Sequence, residues 1–316
     1  MIICGIIIFF GGGQRRIYEI GCGKNADYIK LIAEKLRLLD LTDRVQIIGF
    51  DPATSAYNGK NVQIYPRYFE FEHENCGEMD WLISRHVVEH LDNPLKLFRN
   101  VYGLDKKNKN ATAFFETPDV EWIFKNHIVF DFFYEHCSLF SRASILKVGE
   151  ILGIDIREIK KVFGGQYMWI FMKNQPYVDN NEFDESLDNL LQYSDEYIKY
   201  ESLMLEKIHD FVMKKIKKGK VAVWGGGAKG NTFLNLFDPN GEMIDLVIDA
   251  NEEKWGKYIA GTGHSIKSPD ILEEEDIKTV IVMNDNYYNE IVEEISERDT
   301  KVESINAIDM LLKEGK

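Results

Sequence analysis

The stretch HVVEH, residues 86–90, has the residue types and spacing of a metal site. Read as H-x-x-E-H, it matches the inverted zinc-peptidase signature, in which two histidines one helical turn apart bind zinc and a glutamate acts as base. Such a site also needs a third ligand and a long apolar helix that carries the motif. Here an Asp-Asn-Pro sequence at residues 92–94 interrupts the chain at once. We therefore predict no metal site and expect His86 and His90 to line a pocket at the carboxyl end of a sheet, where open α/β folds bind ligands.

A glycine turn is the second candidate. In YEIGCGKNADYIKLI a predicted strand ends at Glu19, two glycines follow, and helical periodicity begins. Glycines let the backbone approach a ligand closely, and the N–H groups of a helix start favour a polar or anionic group. Asp51 follows the next predicted strand, where an acid accepts hydrogen bonds from a ribose diol. The glycine turn and Asp51 together indicate a cofactor that contains adenosine. A dinucleotide turn would read G-x-G-x-x-G, whereas Asn25 and Ala26 follow the second glycine here. A tight turn that binds no ligand is the alternative.

Tyr134, Glu135 and His136 form the third candidate, among the aromatic residues of VFDFFYEHCSLF. A histidine beside a carboxylate and a phenol is a candidate general base, because its unperturbed pKa of about 6.5 suits proton abstraction at neutral pH. An aromatic core that holds one hydrogen-bonded histidine would give the same pattern. The residues alone do not decide between the two.

Composition narrows the classes of function. The 316 residues are 45% hydrophobic and 28% charged, which is typical of a globular chain of two domains. A net charge of -14 repels nucleic acid and acidic membranes, so we expect neither as a partner. The four cysteines contain no C-x-x-C pair, which disfavours a zinc knuckle or a disulfide framework and favours a cytoplasmic location. The apolar opening MIICGIIIFF has about half the length of a membrane span and no signal-peptide leader, so we interpret it as a buried strand or an atypical start.

The elements that must position these groups alternate along the chain. Short apolar runs and helical periodicity succeed each other from residue 15 onward, which predicts a doubly wound α/β sheet closed by a strand pair in KKVFGGQYMWIFMKN. A long amphipathic helix is predicted next, and its apolar face consists of Leu187, Leu191, Ile198, Leu205, Ile208 and Val212. A second alternating unit then begins with KVAVWGGGAKGNTFLNLF. The chain therefore holds two strand-glycine-helix units, each able to bind a nucleotide.

Several of these motifs resemble known families. The E-x-G-x-G pattern from Glu19 to Gly23 resembles motif I of class I S-adenosylmethionine-dependent methyltransferases, and SRHVVEHLDNP resembles the segment after their fourth strand. ETP, DFFYEHCSLFS, FGGQ, VWGGGAKGNTFLN and IDLVIDANEEKWGKYIAGTGHSIKSPDIL resemble the nucleotide-sugar C-methyltransferases of deoxysugar biosynthesis. The resemblance runs from about residue 17 to near the end of the chain. It implies a class I methyltransferase Rossmann-like domain over 1–175, a helical connector over 176–217 and a second, smaller Rossmann-like substrate-binding domain over 218–316.

The resemblance also implies a reaction and its residues. A methyl group would pass from S-adenosylmethionine to a carbon next to the ketone of a nucleotide-linked keto sugar, or to a related small metabolite. His136 would be the base, Glu135 its orienting partner beside Tyr134, and His86 or His90 would contact the sugar or its developing oxyanion. The implied cofactor contacts are Glu19, Gly21, Cys22, Gly23, Asp51, Pro52, Ser84 and Arg85. The implied substrate contacts, on the diphosphate side, are Gly227, Lys229, Asn231 and Thr232.

Three features depart from that family. Its N-terminal cysteine-rich zinc domain has no counterpart in this sequence, so we expect that domain to be absent. Its tyrosine three places before the catalytic histidine falls on Phe133, and its first motif, E-I-G-S-N-D-G, reads E-I-G-C-G-K-N here. Sugar O-methylation therefore stays an alternative. Two others are an NAD-dependent oxidoreductase acting on a nucleotide sugar, with Asp249 on the ribose, and a scaffold subunit without activity. The oligomeric state is open.

Overall fold

The computed structural model describes residues 14–71, 79–103, 111–178, 182–298 and 301–312. The apolar opening, whose strand was predicted above, lies outside these residues. The chain divides into two compact units, which we call the N-terminal unit (Met1–Val120 with His136–Leu190) and the C-terminal unit (Glu121–Glu135 with Leu191–Lys316). The domain bounds predicted from the sequence stay a prediction.

The N-terminal unit is built on a sheet of eight strands in the described part of the chain. These are β1 (Arg15–Ile20), β2 (Val45–Phe50), β3 (Tyr57–Asn58), β4 (Val62–Tyr65), β5 (Trp81–Arg85), β6 (Thr112–Pro118), β7 (Ile154–Val162) and β8 (Tyr167–Pro176). Their spatial order is β3-β4-β2-β1-β5-β6-β8-β7, in which β4, β2, β1, β5 and β6 run parallel and the pair β7 and β8 closes the sheet antiparallel. The predicted doubly wound α/β fold and its closing strand pair are confirmed. Because β1 has β2 on one side and β5 on the other, the winding reverses there, and a ligand crevice forms at the carboxyl ends of these strands.

The core lies on both faces of this sheet. The helices of this unit are α1 (Asp27–Leu38), α2 (Pro94–Gly103) and α4 (Arg142–Leu152). Between β6 and α4 the chain forms α3 (Val120–Lys125), of which all but the first residue belongs to the C-terminal unit. Ile17 and Phe114 belong to one buried apolar cluster, and their chain neighbours Tyr18 and Phe115 belong to the other. Successive strand side chains point to opposite faces, so a strand covered on both sides must be apolar at nearly every position. This is why these strands were recognisable as continuous apolar runs.

The long helix α5 (Glu182–Ile216) is present as predicted, but part of its predicted apolar face is wrong. Leu191 and Ile198 are 54% and 67% exposed. The buried apolar side chains of its C-terminal two thirds are Tyr197, Met204, Ile208 and Val212. Tyr197 is buried because its ring packs against the rings of Phe124 and Phe132, 5.3 and 5.7 Å away between centroids. A tyrosine was not counted as apolar in the periodicity, so the prediction took Ile198 in place of Tyr197, whereas Ile208 and Val212 of the predicted face are buried.

The C-terminal unit contains a second, fully parallel sheet. Its strands are β9 (Lys220–Trp224), β10 (Leu246–Ile248), β11 (Ile266–Lys267), β12 (Ile277–Val282) and β13 (Glu303–Asn306), in the order β11-β10-β9-β12-β13. Its helices are α6 (Ala228–Phe237), α7 (Ile271–Glu274), α8 (Tyr288–Ser296) and α9 (Asp309–Leu312). The predicted second, smaller Rossmann-like unit is confirmed, and its winding reverses at β9. Among the helices described, none is long and apolar enough to cross a membrane.

Candidate functional site

The first glycine turn connects β1 to α1 and needs both of its glycines for different reasons. Gly21 and Gly23 have φ values of 73° and 75°, in the left-handed region that side chains disfavour. A Cβ on Gly21 would lie 2.2 Å from Cγ2 of Val87, in the segment after β5, so the two segments pack too closely for any side chain. A Cβ on Gly23 would meet nothing within 4 Å in the part of the chain that the structure describes. The backbone at Gly23 is therefore open to a ligand.

Asp51 ties this turn to the end of β2. Its Oδ2 accepts the N–H of Gly23 at 3.0 Å, and its Oδ1 accepts the N–H of Ala53 at 2.8 Å. A carboxylate has about four acceptor positions, so two remain for hydroxyl groups of a ligand. The exposed Pro52 follows directly. The carboxylate thus stands where an acid can receive a ribose diol, as the spacing predicts.

Glu19 and Ser84 are buried polar residues at the ends of β1 and β5. Both side chains are 1% exposed, and neither Oε2 of Glu19 nor Oγ of Ser84 has a hydrogen-bond partner among the described residues. Burial raises the pKa of Glu19 to about 7, although Arg85, whose Nε lies 3.8 Å from Oε1, pulls it down and Asp51 adds to the rise. Buried polar atoms are nearly always paired, so these two point to a ligand group or water at this crevice.

Cys22 lies in the same turn but faces the core. Burial raises the pKa of its thiol to about 12, and the neighbouring Glu19 adds to the rise, so the thiol stays neutral at physiological pH. Its N–H donates to the carbonyl oxygen of Phe50 at 3.3 Å. Cys22 can therefore take part in a cofactor site only by shaping the backbone. On the other side of the turn, the Arg85 guanidinium lies 4.1 Å over the ring of Tyr28.

A cavity of about 550 Å³ opens at this crevice. Its wall includes five of the residues singled out in the sequence, namely Gly21, Asp51, Pro52, His86 and His90. Phe50, Phe69 and Leu97 add apolar surface, and Asp92 and Lys96 add charge. Volumes of about 300–1,000 Å³ with mostly apolar walls and a few polar groups are typical of small-molecule sites.

His86 is held by two carboxylates. Its Nε2 lies 3.0 Å from Oε1 of Glu116, and its Nδ1 lies 3.4 Å from Oε1 of Glu89. Burial by itself lowers the pKa of His86, but the hydrogen bonds to Glu116 and Glu89 outweigh it and raise that pKa to about 9. Burial alone would raise the pKa of Glu116. The hydrogen bonds from His86 and Trp169 outweigh burial, so the pKa of Glu116 lies below that of an ordinary glutamate. His86 is therefore a cation at neutral pH and a hydrogen-bond donor, not a base.

His90 and His136, 46 positions apart in the chain by their numbers, meet in the structure. Their rings stand edge to face with centroids 4.8 Å apart. The loop of His136 is tied to the loop of His90 because the N–H of Ser138 donates to the carbonyl oxygen of Glu89 at 3.1 Å. HVVEH itself contains one 3₁₀ turn, Val88–His90, in place of the long helix that a zinc peptidase requires.

One donor atom each of Glu89, His90 and His136 lies within 4.8 Å of the others, a set of two histidines and one carboxylate that resembles metal sites. The charge of His86 opposes that use, because its Nδ1 lies 3.4 Å from Glu89 and a divalent cation would meet it. The other oxygen of Glu89 accepts the hydroxyl of Thr117 at 3.2 Å. The arrangement suits proton handling better than metal binding.

The remaining predicted catalytic residues are more exposed. His136 is half-buried, Glu135 is exposed, and Tyr134 is 99% exposed. Sequence reasoning missed Glu116, which receives both the imidazole of His86 and the indole N–H of Trp169. Glu116 is the acid of the ETP motif at the carboxyl end of β6, which was the available signal.

The second glycine turn, between β9 and α6, has its acid already occupied. Asp249 is 7% exposed, and its Oδ2 accepts the N–H of Gly226 and the ammonium of Lys254, both at 2.8 Å. Its Oδ1 accepts the N–H of Asn251 at 2.9 Å. This ion pair weighs against a ribose diol at Asp249 and so against the oxidoreductase alternative.

The predicted substrate contacts cluster at the start of α6. Gly227 precedes the helix and is exposed, while Asn231 and Thr232 are half-buried in its first two turns. Oδ1 of Asn231 accepts Nδ2 of Asn235 at 2.6 Å. The Lys229 ammonium lies 3.0 Å from Oδ2 of Asp131. The helix start thus offers backbone N–H groups, but its one lysine already has an anionic partner.

Two protein families match the chain. Residues 6–159 match a methyltransferase domain, and residues 177–305 match the C-methyltransferase C-terminal domain. The chain has the C-methyltransferase family architecture. Both matches are to domains of methyltransferases, and the C-terminal one is described as a domain of C-methyltransferases. No curated protein matches the sequence significantly.

Several solved structures are similar to about half of the chain. LepI in complex with S-adenosylmethionine is 10% identical, with 55% of this chain and 47% of LepI covered and a TM-score of 0.41. An S-adenosylmethionine-dependent methyltransferase from Mesorhizobium loti is 11% identical, with 53% and 94% covered and a TM-score of 0.39. Magnesium protoporphyrin IX methyltransferase from Synechocystis PCC 6803 with bound SAH is 12% identical, with 55% and 80% covered and a TM-score of 0.38. The chain thus spans under half the length of LepI, and likenesses this distant do not extend an activity to it.

Proposed function

We propose that this C-methyltransferase moves the methyl group of S-adenosylmethionine to a carbon beside the ketone of a nucleotide-linked keto sugar or a related small metabolite. The observation that carries the proposal is the cavity of about 550 Å³ whose wall joins the glycine turn and Asp51 to His86 and His90. One wall suits an adenosine cofactor, and the other carries groups that can manage a proton and a developing negative charge. The C-terminal family match favours carbon over oxygen as the acceptor.

The cofactor fits the first wall. The open backbone at Gly23 and the two remaining acceptor positions of Asp51 would receive the cofactor's polar groups, and the unpaired oxygens of Glu19 and Ser84 call for such partners. The glycine turn leads into the start of α1, and the N–H groups of a helix start favour a carboxylate. When bound, S-adenosylmethionine supplies an electrophilic methyl group to the acceptor carbon.

His136 and His86 would have different roles in the reaction. His136 takes the proton from the carbon beside the ketone, and the electron pair of that C–H bond moves onto the ketone oxygen as an enolate. His86, positively charged at neutral pH, donates a hydrogen bond to that oxygen and so lowers the barrier. His90 packs edge-on against His136 and limits its ring rotation. Glu135, next to the base in the chain, stabilises the imidazolium that forms.

A ligand panel tests the class of substrate. Calorimetry with SAH comes first, and we expect binding in the micromolar range; folded protein that binds neither SAH nor S-adenosylmethionine would refute the proposal. Nucleotide sugars are then screened by thermal shift with SAH present, since a ligand that binds only the folded state raises its apparent stability. The keto sugars among the hits are assayed for SAH formation, and the position of the new methyl group is read by NMR. A methoxy signal in place of a C-methyl signal would support the O-methyltransferase alternative.

The base is tested by His136→Ala. We expect kcat to fall by about 100-fold or more, the usual contribution of a positioned base, while SAH affinity stays within about threefold. His209→Ala, an exposed histidine on α5, is the matched control and should keep full activity. If His136→Ala turns over at the wild-type rate, the base is another residue.

A further inference from the structure

The segment Glu121–Glu135, which we call the excursion segment, belongs to the C-terminal unit although it lies between β6 and α4 in the chain. Its two ends leave and re-enter the N-terminal unit at neighbouring points. The N–H of Val120 donates to the carbonyl oxygen of Phe140 at 2.9 Å, so the strand end before the segment pairs with the chain after it. His136, the proposed base, is the first residue after the return. The loop of His136 is thus held from two sides, by the excursion segment before it and by the hydrogen bond of Ser138 to Glu89 after it.

Apolar packing holds the middle of the excursion segment. Its buried apolar residues, each at most 5% exposed, are Ile123, Ile128, Val129 and Phe130. They share one apolar cluster with Val221 and Val223 of β9 and Phe233 and Leu234 of α6. The ring of Phe130 stands edge to face with that of Phe233, 6.0 Å away between centroids. The segment is thus part of the core that surrounds the second glycine turn.

A buried ion pair completes the attachment. The Lys229 ammonium lies 3.0 Å from Oδ2 of Asp131, and the two side chains are only 11% and 5% exposed. The same ammonium lies 5.8 Å from the ring centre of Trp122, which also belongs to the excursion segment. Removing one partner of a buried pair leaves an uncompensated charge and is costly, so this contact holds its position firmly. Asp131 stands five positions before His136 in the sequence.

We propose that Lys229 and Asp131 are a positioning pair: Lys229 acts on the reaction through Asp131, by fixing the chain that leads into Glu135 and His136, and not as a ligand of the substrate's diphosphate. This inference rests on the proposed role of His136 as the base. A base displaced by about 1 Å can lose about 100-fold in rate even when the substrate still binds.

Three variants and a matched control separate the two roles of Lys229. Lys229→Met and Asp131→Asn each break the pair, and Lys229→Met with Asp131→Leu replaces it by apolar side chains, which buried sites often tolerate. Lys215→Met is the control, because Lys215 is also 11% exposed, pairs with Glu303 and lies 5.1 Å from the Phe211 ring, in the same unit. SAH affinity, measured for every variant, reports whether the protein is folded.

The first readout needs no acceptor substrate. The ring protons of His136, assigned by their loss in His136→Ala, are titrated by NMR. We expect both single variants to change the chemical shift or titration midpoint of His136, and Lys215→Met to leave both unchanged. The same His136 titration in wild type and both variants would overturn the inference while leaving the proposed function untouched.

The second readout uses the keto sugar that gives turnover in the ligand panel. We expect both single variants to lower kcat by about tenfold or more with KM within about twofold, and the double variant to lose less than the product of the two. A tenfold higher KM for Lys229→Met with kcat unchanged, and no effect of Asp131→Asn, would show that Lys229 binds the substrate directly. Loss of SAH binding in the wild type would instead refute the proposed function.

Discussion

His86 shows how the environment of one residue decides its chemical role. As a free imidazole it would be a candidate base, and the sequence placed it with His90 and His136 in one catalytic group. In the structure, Glu116 and Glu89 hold it as a cation, and its backbone adopts a φ of 53°, which a residue with a side chain adopts at a cost. That conformation aims the ring at both carboxylates. The base must therefore be sought elsewhere, and His136 is the candidate.

The raised pKa of His86 predicts a pH dependence. A group whose pKa is about 9 in the folded state and about 6.5 when unfolded stabilises the fold fully below pH 6.5, and this contribution is lost as the pH rises through 9. Because the ring is 45% exposed, solvent screens its bonds, and we expect about 1 kcal/mol. Urea unfolding of wild type and His86→Gln from pH 6 to 10 should show the difference between them shrinking toward high pH. His209→Gln is the control, and a difference that does not depend on pH would contradict the assignment.

At the scale of elements, the turn after β1 and the segment after β5 are packed without room for a methyl group. We predict that Gly21→Ala lowers the free energy of unfolding by about 2–4 kcal/mol, from a strained φ and the overlap with Val87. Gly23→Ala shares the strained φ of 75° but meets open space, so it should cost only about 1–2 kcal/mol. Urea titrations measure both.

Val87→Ala in the Gly21→Ala background isolates the overlap. Val87→Ala removes the Cγ2 methyl group that the new Cβ at position 21 would overlap. The double variant should therefore regain the free energy of unfolding by which Gly21→Ala falls below Gly23→Ala. Equal losses for Gly21→Ala and Gly23→Ala would mean that backbone strain alone requires these glycines. In that case the contact of Val87 with the turn does not contribute to the loss in the free energy of unfolding.

Most of the two sheets could be predicted from the sequence because a strand buried on both faces is apolar at nearly every position, as VQIIGF and KTVIVM show. Strands β3 and β11 have two residues each and left no such signal. The aromatic run from Trp122 to Phe133 could not be assigned to a unit, since either core needs the same apolar side chains. Glu116 escaped notice for a related reason: it meets His86 only because β5 and β6 are neighbours in the sheet.

At the scale of the whole molecule, both units contain a glycine turn bonded by an aspartate, but the charges around the two aspartates differ. In each unit a glycine turn follows the first strand, and an aspartate follows the second strand and accepts a hydrogen bond from an N–H of that turn. Asp51 accepts the N–H of Gly23, and Asp249 accepts the N–H of Gly226. At Asp249 a lysine of the same unit adds an ion pair, whereas Asp51 bonds only backbone N–H groups in the contacts described and lines a cavity. The first turn is therefore suited to a cofactor's hydroxyl groups, and the second to a role within the fold.

The net charge of -14 predicts how the protein would meet the two substrates of the proposed reaction. A nucleotide sugar with a diphosphate is repelled at long range, and S-adenosylmethionine, which carries one net positive charge, is attracted. Charges act over about 30 Å at 0.01 M salt but only about 8 Å at 0.15 M. We expect the association rate of the nucleotide sugar to rise severalfold between these salt concentrations and that of S-adenosylmethionine to fall, with neutral SAH changing little. Stopped-flow binding measures all three. A nucleotide sugar that associates more slowly as salt is added would show that local cations near its site, and not the overall charge, govern the encounter.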